Sequence, residues 1–79
     1  MTDKIIMVIE DVLKTPVDIE TSQDNCHKWD SLRHLNIIMA IEDTFEVLFE
    51  PEDIAKMKNV QDIERFIVDY QTNKNGQSI

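Results

Sequence analysis

Ser31 and His34 stand three residues apart in the segment Trp29-Asp30-Ser31-Leu32-Arg33-His34. On a helix that spacing lets a hydroxyl and an imidazole meet, the minimum for an activated nucleophile. Nucleophilic catalysis also needs an oriented base and an oxyanion site. The sequence offers no strained Gly-rich elbow for either, because it contains a single Gly; no catalytic residue is assigned. Cys26, His27 and His34 are metal-ligand types, but an adjacent Cys-His pair in a polar loop lacks the paired spacing of structural zinc, so no metal is expected. The lone Cys26 cannot form an internal disulfide and reads as a partly exposed or loop-packed thiol. For Ser31 two roles remain. It can be a plain N-terminal helix residue, with Asp30 or Ser31 itself acting as the cap. Alternatively it is an attachment point, since unpaired N–H groups and the positive end of the dipole favour a phosphate ester there, and Arg33 adds positive charge.

The elements that must position these residues are helical. One Gly and two Pro are too few for the turns of an all-β domain. Ile5, Val8, Ile9, Val12 and Leu13 recur at helical spacing, which predicts a first helix over Asp3 to Lys14, capped by Thr2 and stopped by Pro16. Thr15 to Asp30 is a long connection, with Val17 and Ile19 expected to pin it to the core; loops of this length tend to be functional, and this one leads into Asp30-Ser31. Leu32 to Leu48 is the second helix. Pro51 opens a short third helix to Met57, with Ile54 and Met57 inward. Asn59 caps a fourth, with Asp62 in a capping-box-like position and Val60, Ile63, Ile67 and Tyr70 as its apolar stripe beside Phe66. The tail Gln71 to Ile79 is expected to fray. The fold expected is all-α: a small four-helix bundle with a short third helix and a long loop between helices one and two, residues 1–79 forming a single domain.

Charge narrows the partners. The 79 residues carry 8 basic and 16 acidic side chains, a net charge of −8. That balance excludes a basic nucleic-acid footprint and favours steered encounter with basic protein partners. No apolar run reaches the length of a membrane span, and Met1 to Glu10 has no signal-peptide layout, so a cytoplasmic monomer is expected. At roughly 100° per residue, Ile37, Ile38, Ile41, Phe45 and Leu48 form the core face of helix two. Leu32, Met39, Glu42, Asp43 and Glu46 form another. Apolar anchors within an acidic rim suit docking to a basic partner; a solvated face with stray apolar residues is the plainer reading.

Trp29-Asp30-Ser31-Leu32, followed by Leu35, Ile38-Met39-Ala40-Ile41-Glu42-Asp43 and Phe45, resembles the acyl carrier protein family, whose attachment motif is Asp-Ser-Leu at the start of the second helix. The resemblance extends over nearly the whole chain, through Val60-Gln61 opening the fourth helix. It implies a carrier that is not an enzyme, with 4′-phosphopantetheine from coenzyme A held covalently by Ser31 within the motif Asp30-Ser31-Leu32, and acyl groups borne as thioesters. It implies as partners a phosphopantetheinyl transferase and acyl-activating, acyltransferase or condensing enzymes whose basic patches meet Leu32, Arg33, Met39, Glu42, Asp43 and Glu46. An acyl chain could tuck between the helices, with Ile38, Phe45, Ile54 and Ile63 as lining. Arg33 and Asn36 stand where members serving fatty acid synthesis usually carry acids, and His34 and Lys28-Trp29 also depart from their pattern, which suggests a specialised pathway. Trp29 itself is expected to pack the loop. The alternative without a prosthetic group is an acidic helical adaptor that binds a basic partner.

Overall fold

The computed structural model describes residues 1–76, with side-chain burial through Thr72. Four helices succeed one another in order: α1 Thr2–Leu13, α2 Ser31–Phe45, α3 Pro51–Lys56 and α4 Val60–Gly76. Among the described residues the sole β pairing is an isolated bridge between Ser22 and Asn59. The core is aliphatic: Ile5, Ile9 and Leu13 of α1, Ile37, Ile38 and Ile41 of α2, and Val60, Ile63 and Ile67 of α4 are buried together with Met57 and Trp29. Each fully buried Ile is worth about 2 kcal/mol relative to an exposed one, so these apolar stripes drive the helices together.

The first helix begins differently from expectation. Met1 takes the N-cap position without a side-chain bond, and the Thr2 hydroxyl instead donates to the Glu64 carboxylate of α4. At its far end Lys14 adopts the left-handed conformation, φ 57°. The loop after it is pinned by Val17, which is buried and whose N–H donates to Glu10 Oε2 at 3.0 Å. Ile19 does not share that role. Its neighbours form a tight polar turn, with Glu20 N–H donating to Asp18 Oδ1 and Asp18 N–H to Thr21 Oγ1, and Ile19 is left exposed.

The second helix is shorter than its apolar pattern. It ends at Phe45 because Glu46 turns left-handed, φ 56°, and Phe49 N–H then donates to Glu42 Oε2 at 2.9 Å. The break shifts the phase of the next residues: Val47 is buried at 2% exposure, while Leu48, expected in the core, is 73% exposed. The third helix carries no fully buried residue; Met57, just past it, is the buried anchor. Asn59 caps α4 as expected, Oδ1 accepting from Asp62 N–H at 2.7 Å. The reciprocal bond reaches one residue further back, from Lys58 N–H to Asp62 Oδ2. Finally, α4 continues to Gly76; residues 77–79 of the tail expected to fray lie outside the described residues.

Candidate functional site

Asp30 decides how α2 begins. Its backbone is extended, φ −88° and ψ −177°, and its Oδ1 accepts from Arg33 N–H at 2.8 Å. Its Oδ2 pairs with Arg33 Nη1 at 3.0 Å, both side chains being about half exposed, and its carbonyl accepts from His34 N–H. Asp30 is therefore the cap, and Ser31 is the first helical residue, exposed and not used for capping. This has two consequences. The N–H groups of Ser31 and Leu32 sit at the helix tip, where no intrahelical acceptor exists. Ser31 is exposed, and the Arg33 guanidinium two residues on is held by Asp30. An exposed alcohol and two tip N–H groups suit a phosphodiester, so the residues present fit an arm esterified at this position.

His34 is not a base for Ser31. It is buried at 6% exposure, and both ring nitrogens are committed. Trp29 Nε1–H, which can only donate, lies 2.9 Å from Nδ1; Nδ1 is therefore the acceptor and Nε2 carries the proton. That Nε2–H donates to the Ile54 carbonyl at 2.9 Å. The hydrolase geometry that the Ser31/His34 spacing allows is thus absent. With Nε2 bound to a carbonyl, His34 cannot ligate a metal beside Cys26 and His27 either, and no metal-binding group occurs among the described residues. Trp29 is the loop-packing residue expected, and Cys26 is partly buried, its carbonyl accepting from Trp29 N–H. Sequence reasoning missed the Trp29–His34–Ile54 chain, for which the available signal was the place of His34 three and four residues before the core positions Ile37 and Ile38.

Beside Ser31 a cleft of about 370 Å³ opens between α2 and α3, walled by Ser31, His34 and Leu35 on one side and Pro51, Ile54 and Ala55 on the other, with Gln23 at its edge. Of the expected acyl lining, Ile54 alone reaches this cleft. Ile38 and Ile63 are fully buried in the core, and Phe45 packs partly against it.

The outward side of α2 carries Leu32 at 70% and Met39 at 66% exposure. Asp43 and Glu46 are exposed beside them, and Arg33 lies at the same end as Ser31. Leu35, half exposed, belongs to the same strip; its spacing, three after Leu32 and four before Met39, would have placed it there. Glu42 is only partly exposed, because its carboxylate accepts the Phe49 N–H. It thus serves the helix end as well as the acidic rim.

Comparison with known proteins agrees with this geometry. The family model described as "Phosphopantetheine attachment site" matches residues 3–67. Among solved structures, the solution NMR structure of a holo acyl carrier protein from Geobacter metallireducens superposes with a TM-score of 0.78 at 26% identity, covering 95% of this chain and 90% of that one. Curated proteins give no match.

Proposed function

Since this chain belongs to the phosphopantetheine attachment-site family of acyl carrier proteins, we propose that Ser31 is the residue that takes the arm and that residues 1–79 act as one carrier domain. Members of the family are carriers with covalently attached 4′-phosphopantetheine, not catalysts, and are substrates of phosphopantetheinyl transferases. The observation that carries the assignment is the Asp30-capped helix start, which leaves the Ser31 hydroxyl exposed at the first helical position. In the transfer, the Ser31 Oγ–phosphorus bond forms as the pyrophosphate bond of coenzyme A breaks; the nucleotide half leaves, and the serine proton passes to a base on the transferase. The chain's own part is to present the exposed Ser31 at the first helical position and to offer the tip N–H groups to the phosphate. The arm's thiol supplies the thioester chemistry.

Docking falls to the strip Leu32, Leu35 and Met39 within the acids Asp43, Glu46 and the exposed part of Glu42. Apolar anchors fill pockets on a partner while the acids meet its Lys and Arg. The partners are the transferase and acyl-activating, acyltransferase or condensing enzymes with basic patches. Arg33 tied to Asp30 and neutral Asn36 leave the end near Ser31 less acidic than the far end, which supports a specialised pathway with its own partners over housekeeping fatty acid synthesis.

The test is an intact mass after incubation with coenzyme A, Mg²⁺ and a broad-specificity transferase. The expected result is a gain of one phosphopantetheine on the wild type and none on Ser31→Ala. A gain on Ser31→Ala moves the site elsewhere, and no gain on the wild type with two transferases favours the adaptor reading.

A further inference from the structure

The Trp29–His34–Ile54 chain lies next to the attachment site without touching Ser31 Oγ. Trp29 stands two residues before Ser31, at the end of the long loop. It is 2% exposed, and its ring lies 6.1 Å from the His34 ring at an interplanar angle of 29°. Ile54 lies in the last turn of α3, where helix carbonyls lack intrahelical donors. Its carbonyl takes Met57 N–H at 3.3 Å and His34 Nε2–H at 2.9 Å. His34 therefore caps a neighbouring helix from the first turn of α2. The need is specific to α3, which has six residues and none fully buried, so little apolar packing of its own fixes it. One side chain joins the three segments that meet around Ser31: the loop end, the start of α2 and α3.

We propose that His34 is the positioning residue for arm transfer to this carrier: through Trp29 it fixes the loop end that leads into Asp30-Ser31, and through the Ile54 carbonyl it holds α3 across the cleft. The inference rests on Ser31 as the attachment residue. A transferase must receive Ser31 Oγ in line with the phosphorus it attacks, and small misplacements of a reacting atom are costly. A buried donor and acceptor satisfied on both sides hold one ring orientation, because leaving either partner unpaired carries the full desolvation penalty.

Three variants separate the parts. His34→Leu keeps bulk and loses both bonds. His34→Gln keeps a donor at the position of Nε2 for the Ile54 carbonyl. Trp29→Phe keeps an aromatic ring and removes the indole donor. Each is purified as the full chain, shown helical and folded at the assay temperature by circular dichroism, and used as the varied substrate of a transferase with coenzyme A. The readout is the split between kcat and KM, together with the indole ¹H–¹⁵N resonance of the single Trp.

For His34→Leu the expected result is a roughly tenfold fall in kcat with KM little changed, the pattern of an interaction that serves the transition state. His34→Gln recovers part of that loss. Trp29→Phe lowers kcat by itself but adds nothing in the His34→Leu background, since both act on one bond. The indole resonance shifts in both His34 variants. A folded His34→Leu protein with wild-type kcat overturns the proposal, as does His34→Gln no better than His34→Leu combined with additive loss in the double variant. Failure of the Ser31 reading is distinct: the wild type then takes no arm before any variant is compared.

Discussion

Replacing Asp30 by Ala removes the cap of α2 and the ion pair to Arg33 in one step, and the structure sets the size of the effect. The bond from Arg33 N–H to Asp30 Oδ1 at 2.8 Å is an N-cap interaction, whose loss costs about 1 kcal/mol. The Arg33–Asp30 pair, with side chains 48% and 51% exposed, is screened by water and adds at most about 0.5 kcal/mol. The sum of about 1–1.5 kcal/mol corresponds, for a domain of this size, to a fall in Tm of about 5–10 °C. Asp30→Asn keeps a carbonyl oxygen at the cap and loses only the charge, so it should lie within about 3 °C of the wild type. Thermal unfolding followed by far-ultraviolet circular dichroism gives both numbers. A Tm for Asp30→Ala within about 2 °C of the wild type would refute the assignment of Asp30 as the cap. Equal losses for Ala and Asn would refute the division between cap and charge.

Three further outcomes are expected from particular residues. Lys14 and Glu46 hold positive φ without being Gly; Lys14→Gly and Glu46→Gly should each raise stability in urea by about 0.5 kcal/mol, and a loss at either position would show that the side chain contributes more than the backbone conformation costs. Asp43→Lys should lower kcat/KM for arm transfer severalfold without altering the helical spectrum, and is a cleaner probe than reversal of Glu42, whose carboxylate also holds Phe49 N–H; unchanged kinetics would remove this face from docking. The net charge of −8 and the acids from Glu42 to Asp53 repel one another at low ionic strength. Tm should therefore rise by a few degrees between about 0.01 M and about 0.15 M salt, and a flat or falling Tm counts against that repulsion.

Much of the scaffold is written in local periodicity. The stripes of α1, α2 and α4 repeat every three to four residues, so Ile5, Ile9, Ile37, Ile41, Ile63 and Ile67 were identifiable as core before any packing was known. Asn59 as a cap and Pro51 as a helix start are also nearest-neighbour chemistry. Periodicity failed where the backbone left its period. The left-handed turn at Glu46 put Val47 inside and Leu48 outside, and the Asp18–Thr21 turn put Ile19 outside.

The surroundings of Ser31 divide along the same line. A serine opening the second helix, next to an acid and ahead of an exposed acidic face, was legible along the chain, because each of those facts depends on residues within one or two helical turns. The choice of Asp30 over Ser31 as the cap is also local, an exposed bond three residues long, but the sequence left it open; packing made His34 a buried bridge between Trp29 and Ile54 instead of a base. It also gave the Thr2 hydroxyl to Glu64 and the Gln23 N–H to the Lys58 carbonyl. The physical reason is that hydrophobic pattern is a one-dimensional property of a helix, whereas a buried polar atom must find whichever partner packing brings within about 3 Å. That partner can come from any segment of the chain.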